Sequence, residues 1–175
     1  MYFLDNSYKY YNDLARLLLK CSTDLKNQWF FTDGTFNMEI ELERAPNTWL
    51  HENFIVGDGN KIIGYFTANW RRPLDIIENL RIISFSDDNP LYIAKAFMEY
   101  LDYLFMNRGC KSVNWIVPMN DVYLSRISNK FIKRKCGNLT GIKTSYTISY
   151  SGEVSDAMLF ELSLEQYMLG KTKLR

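Results

Sequence analysis

The stretch ENLRIISFSDDNPLYIAKAFMEYLDYLF, residues 78–105, constrains this chain more than any other. Its first nine residues are rich in β-branched and aromatic side chains and read as a strand. Asn89 then reads as a helix N-cap, with Pro90 at the first helical position, where a missing N–H costs nothing. Behind it Ala94, Phe97, Met98, Leu101, Leu104 and Phe105 recur at steps of three and four. That spacing makes one apolar face, which ends near Gly109. A strand feeding such a helix needs a sheet for the helix to cover, so the class is α/β.

The remaining segments fit around this unit. Tyr8 to Lys20 carries Leu14, Leu17 and Leu18 on one helical face. A polar stretch, STDLKNQWFFTDGTFNMEIELERAP, reads as loops or a short helix. From Trp49, two β-rich runs flank Gly57-Asp58-Gly59-Asn60, a hairpin turn with glycines where positive φ is needed. SVNWIVP reads as a short buried strand, and Val122, Ile127 and Phe131 mark a second, shorter helix. IKTSYTISY and SDAMLFELSL close the chain as two strands around Ser151-Gly152-Glu153. The order is helix, hairpin, strand, helix, strand, helix, hairpin. With no repeat and no Pro/Ser-rich linker, residues 1–175 read as one domain.

Composition excludes several classes. Hydrophobic residues make up 47% and aromatics 15%, enough to build a core and incompatible with disorder. Lys+Arg 21 against Asp+Glu 20 ranks nucleic acid last among partners, because phosphate binding needs excess cationic charge. The basic run KFIKRK sits at a predicted helix C-terminus, where the dipole stabilises cations. No apolar run reaches the length of a membrane span, and the N-terminal segment lacks the pattern of a signal peptide. Cys21, Cys110 and Cys136 are odd in number and widely spaced, which points to reduced thiols in the cytoplasm and to no metal site. His51, the only histidine, reads as a strand-face residue.

The element order, with a long amphipathic helix after the third long strand, resembles the GNAT acyl-CoA N-acetyltransferase superfamily. The likeness runs from about Trp49 to Leu164. Gly137 and Gly141 stand near the family's Gly-containing turn before a strand, and Gly152 and Asp156 resemble its closing element. The resemblance implies a mixed, mostly antiparallel, twisted sheet with helices on both faces. It implies acetyl-CoA as co-substrate and an amine, on a small molecule or a protein, as acceptor. In this fold the strand before the long helix splays from its neighbour, and its free backbone groups pair with the peptide-like pantothenate arm. Here those groups belong to Ile83, Ser84 and Phe85. The pyrophosphate lies at the helix N-terminus, here Asn89 and Leu91. Asn120 stands where relatives keep an asparagine near the coenzyme. A carboxylate takes the proton of the attacking amine, a role that falls to Glu78, with Asp75 as the neighbouring option. The tyrosine that protonates the leaving thiolate falls by register near Ser128 or Ile132. Tyr123, one or two turns earlier on the same helix, is the candidate for that role. Trp70 and Arg71 face the acceptor region, where an aromatic beside arginines suits an acidic or planar group.

The chain departs from the family at the turn before the long helix, FSDDNPLY, which has no glycine. Two aspartates there repel a pyrophosphate by about 1 kcal/mol per charge pair at 4 Å in water, and about 4 near a protein surface. That weakens coenzyme binding without excluding it. The competing expectation is a non-catalytic module that has lost the coenzyme and serves a protein partner, a homo-oligomer or a larger assembly. It would act through exposed aromatics such as Trp29, Phe30, Phe31 or Trp70. An enzyme predicts a cleft between the RIISFS and SVNWIVP strands, and a module predicts that cleft filled by Phe85 or Tyr92. No residue selects the acceptor.

Overall fold

The computed structural model describes residues 2–22, 51–85, 90–134, 137–148 and 153–173. One seven-stranded sheet runs in the order β1-β2-β3-β4-β5-β7-β6. Its strands are β1 (Tyr2–Asn6), β2 (His51–Asp58), β3 (Lys61–Arg71), β4 (Ile76–Ser84), β5 (Ser112–Pro118), β6 (Asn138–Ile148) and β7 (Val154–Ser163). Every neighbouring pair is antiparallel except β4 with β5, which is parallel. The helices are α1 (Tyr11–Ser22), α2 (Pro90–Asp102), α3 (Val122–Lys133) and α4 (Leu164–Lys173). The sheet is therefore mixed and mostly antiparallel.

Two apolar layers flank it. On one face α1 sets Leu14 and Leu18 against Ile55, Tyr65 and Ile83. Each buried leucine contributes about 1.5–3 kcal/mol, which is what holds this helix down. On the other face Ala96, Tyr100, Leu101, Leu104 and Phe105 of the α2 region pack on Val56, Phe66, Ala68, Trp70 and Ile77, joined by Tyr167 of α4. Helices thus cover both faces. Ala94, expected on the buried face of α2, is exposed, while Ala96 is fully buried.

The hairpin between β2 and β3 forms as its glycines predict, with a difference of role. Gly59 sits at φ +60, but Gly57 is an ordinary strand residue against which Phe3 packs so closely that a Cβ would lie 2.1 Å from the ring. Only Gly59 answers a need for positive φ.

Three elements depart from the sequence reading. Tyr2–Asn6 is a strand along the outer edge of β2, and the Asn6 side chain caps a 3-10 turn (Ser7–Tyr10) before α1 begins. Residues 164–173, too short a tail for a sequence assignment, form α4. Asp156 lies inside β7, not ahead of it, and accepts a hydrogen bond from the Ser145 amide at 2.8 Å. Among the described residues no helix is long and apolar enough to cross a membrane.

Candidate active site

The β4–β5 ladder holds two residue pairs, Ile76 with Ser112 and Ile77 with Val113. No further pair joins the two strands, although β4 continues to Ser84 and β5 to Pro118. The sheet is split along its parallel seam and closed at the Ile77–Val113 end. A cleft between the RIISFS and SVNWIVP strands was the expectation of the enzyme reading.

The split begins beside a bulge. Asn69 pairs with Glu78 and Thr67 with Arg81, so Asn79 and Leu80 together oppose Ala68. Asn79 lies at φ 56, in the left-handed region that asparagine tolerates better than most residues. A bulge bends its strand, increases its twist and leaves the extra residue outside the ladder. Here it falls two residues after the last pair with β5. The sequence carries no more trace of this than an asparagine within a strand.

The expected site residues are distributed around the split. Glu78 stands at its closed end, half-exposed at 44%, in an ion pair with Arg71 at 3.0 Å. Ile83 is buried in the α1 layer, and Ser84 pairs in register with Gly64 on β3. Phe85 donates its amide to the Ile63 carbonyl at 2.9 Å and packs in the α1 layer, while Tyr92 packs in the α2 layer. Both aromatics therefore belong to the layers on either side of the sheet. Leu91, in the first turn of α2, is 73% exposed. Asn120 follows β5 at the open end and donates its side-chain amide to Glu153 at 2.8 Å. Tyr123 falls in the first turn of α3. Ser128, on the register expected for a tyrosine, is buried and accepts the Trp115 indole hydrogen at 3.1 Å. Asn89 and its aspartates, together with Trp29, Phe30, Phe31 and Gly152, lie outside the described residues.

Trp70 requires a correction. It is 6% exposed and belongs to the main core, so it offers no open aromatic to an acceptor or a partner. Successive strand residues face opposite sides of the sheet. Arg71 therefore meets Glu78 on one face while Trp70 turns to the other. It is Arg72 that stacks on the Trp70 ring, 3.8 Å from its centroid.

Behind Trp70 lies a buried polar hub. Glu52, 1% exposed, pairs with Arg108 and accepts hydrogen bonds from the Trp70 indole at 3.4 Å and the Tyr103 hydroxyl at 3.2 Å. Tyr100 donates to the Glu52 carbonyl at 2.8 Å. Burial, then the Glu52 charge, pushes the Tyr103 hydroxyl above its ordinary range and Tyr100 well above it. The end of α2 widens into a π turn at Tyr103–Asn107, which brings Tyr103 and Arg108 to this carboxylate. Next to it, burial pushes the Cys110 thiol up to about 11.

The described residues thus form a mixed sheet, split between its parallel middle strands and covered by helices on both faces. The comparisons with known proteins bear on the fold. No protein-family model and no curated protein matches this chain. Solved structures do match it, along almost its full length. The spermidine N-acetyltransferase of Vibrio cholerae, in complex with CoA and spermine, is similar with a TM-score of 0.73 and 11% identity, over 95% of this chain and 98% of that one. The ribosomal-protein-S5-alanine acetyltransferase of Vibrio fischeri gives 0.70 and 14%, over 95% and 94%. The ribosomal-protein-S18-alanine N-acetyltransferase of Escherichia coli gives 0.66 and 14%, over 94% of each chain. What the chain shares with them at these identities is a fold, and the fold is that of the GNAT N-acetyltransferases.

Proposed function

We propose that this protein is an acyl-CoA N-acyltransferase that moves an acetyl group from acetyl-CoA to an amine. The observation that carries the reading is the split of β4 from β5 beside the Asn79 bulge. An unzipped parallel seam leaves strand edges that a peptide-like chain can join as an added strand. The V. cholerae enzyme of the same fold holds CoA and spermine, and the two ribosomal-protein enzymes act on alanine amines. That supports coenzyme A as the acyl carrier here and an amine as the acceptor.

Acetyl-CoA, when bound, supplies an activated acyl carbon. The seam-facing backbone of β4 near Ser84 orients its arm, since the Phe85 amide is given to Ile63, with Leu91 in the first turn of α2 and Asn120 just past β5. Glu78 removes the proton that an ammonium must lose before it attacks, directly or through water. Arg71 fixes the position of that carboxylate. The amine nitrogen bonds to the carbonyl carbon, the C–S bond breaks, and the thiolate takes up a proton, with Tyr123 as its donor.

A second reading, a fold kept as a non-catalytic module, is favoured by the glycine-free DDNP turn alone. Calorimetric titration with acetyl-CoA and with free CoA separates the two. Micromolar binding, about 8 kcal/mol, is expected for the enzyme. No heat up to millimolar coenzyme, with an unchanged melting temperature, would leave the module.

A further inference from the structure

The split closes at the Ile77–Val113 pair, and a file of polar side chains crosses three strands beside that closed end. His51 pairs in register with Asn69 and Asn69 with Glu78, across β2, β3 and β4. Their chain neighbours Glu52, Trp70 and Ile77 turn to the α2 face: Trp70 and Ile77 lie in its core, and the Trp70 indole donates to Glu52. Strand alternation therefore sends His51, Asn69 and Glu78 together to the opposite face. Directly opposed residues have Cβ atoms about 4.5–5.5 Å apart, so each side chain of the file is within reach of the next.

The file has a direction. His51 Nδ1 lies 2.9 Å from Asn69 Oδ1. An amide oxygen only accepts, so Nδ1 carries the hydrogen and donates it. That bond settles which way round the Asn69 amide sits. With Oδ1 held toward β2, Nδ2 is turned away from it, and Glu78 is the cross-strand neighbour on the other side. Among the described residues the Nδ2 hydrogens of Asn69 have no partner. Glu78 gives Oε1 to Arg71 at 3.0 Å, and among the described residues its second oxygen has no partner. An unused amide donor and an unused carboxylate oxygen are thus one strand step apart, on side chains that are both partly buried.

We propose that His51 and Asn69 are positioning residues for Glu78: the imidazole locks the Asn69 amide, and the amide holds the second oxygen of the carboxylate. Only the use made of that carboxylate, as the base, rests on the acyltransferase reading. Arg71 fixes Glu78 from its exposed side and Asn69 fixes it from within the sheet. A glutamate held at two points keeps one orientation, and its rotamer entropy is lost on folding instead of during each reaction. The one histidine of the chain then has a task that needs no contact with substrate.

The test reads the file by nuclear magnetic resonance of the protein without added ligand. A long-range proton–nitrogen spectrum of the single histidine is expected to show Nδ1 protonated in the neutral ring. A bare Nδ1 with the hydrogen on Nε2 overturns the assignment. Asn69→Asp identifies the side-chain amide signals of Asn69. Glu78→Gln is expected to shift those signals, and in a His51→Ala background that shift should fall to less than half. His51→Asn, whose amide hydrogen takes the place of Nδ1–H, should restore it. A residue that merely filled space would lower the melting temperature without breaking this link and without such rescue. Asn69 signals that ignore Glu78→Gln, or that respond equally with and without His51, also overturn the assignment. Titration with CoA is scored apart. A protein that shows the link and ignores CoA keeps the file and loses the acyltransferase reading. One that binds CoA with Nδ1 bare keeps that reading and loses the file.

Discussion

The two edges of β5 make opposite use of one strand. Toward β7 it is zipped along its full length, seven pairs from Ser112–Ser163 to Pro118–Ala157. Toward β4 it holds two pairs and then parts. The sequence of SVNWIVP is the same for both edges, so the difference does not come from the pairing capacity of β5. It comes from β4, which carries its bulge at Asn79, two residues after the ladder ends. The base below the split is the reverse: a buried ion pair, a stacked arginine and a thiol pack where the strands still touch. A fixed base and an open top are what a strand-adding ligand requires.

Substitutions at four positions sharpen that contrast, from the largest expected effect to the smallest. Arg108→Ala strikes the base by leaving Glu52 charged and buried without its partner, and chemical denaturation should register a loss of about 3–5 kcal/mol. Cys110 gives the base a pH signature. Its thiol pKa is raised in the folded state, so its contribution is complete below the unfolded value near 9 and is lost as pH climbs to about 11. That is about 2–3 kcal/mol over the window. Tyr100, also raised, adds its own loss above 10, so pH 9 to 10 belongs to the thiol. Cys110→Ala should flatten the stability profile in that first unit, and a profile that keeps its slope would remove the thiol from the account.

The pivot comes next. Asn79→Val places a β-branched residue at positive φ, at a cost of about 1–2 kcal/mol. Asn79→Gly should be tolerated, and equal losses in both variants would mean that φ is not what this position selects. The rim is the weakest. Arg71→Ala removes an exposed ion pair and should change stability by less than about 1 kcal/mol. On the proposed mechanism it should still slow acetyl transfer, an effect read in kcat and absent from the melting curve.

What could be read in advance was local. The 3.6-residue period marks α1 and α2, and the alternation and turn chemistry mark the β2–β3 hairpin. The run SVNWIVP coincides with β5, because a short apolar segment between polar turns has one stable use. The edge strand β1 escaped, because five residues beside the stronger helical period of Leu14, Leu17 and Leu18 carry little signal of their own. Glu52 gives no signal in the sequence, since its partner lies 56 positions away and reaches it through the π turn. The bulge at Asn79 and the split beside it are properties of register between strands. No window of sequence contains them. Trp70 was misplaced for a simpler reason: which of two adjacent strand residues faces the core depends on the partner strand.

Backbone hydrogen–deuterium exchange, with and without saturating CoA, tests the split most directly. An open seam predicts slower exchange in Glu78–Ser84 of β4 and Asn114–Val117 of β5, with β6 and β7 unchanged. Exchange unaltered along both edges of the seam, or slowed only elsewhere, would contradict it.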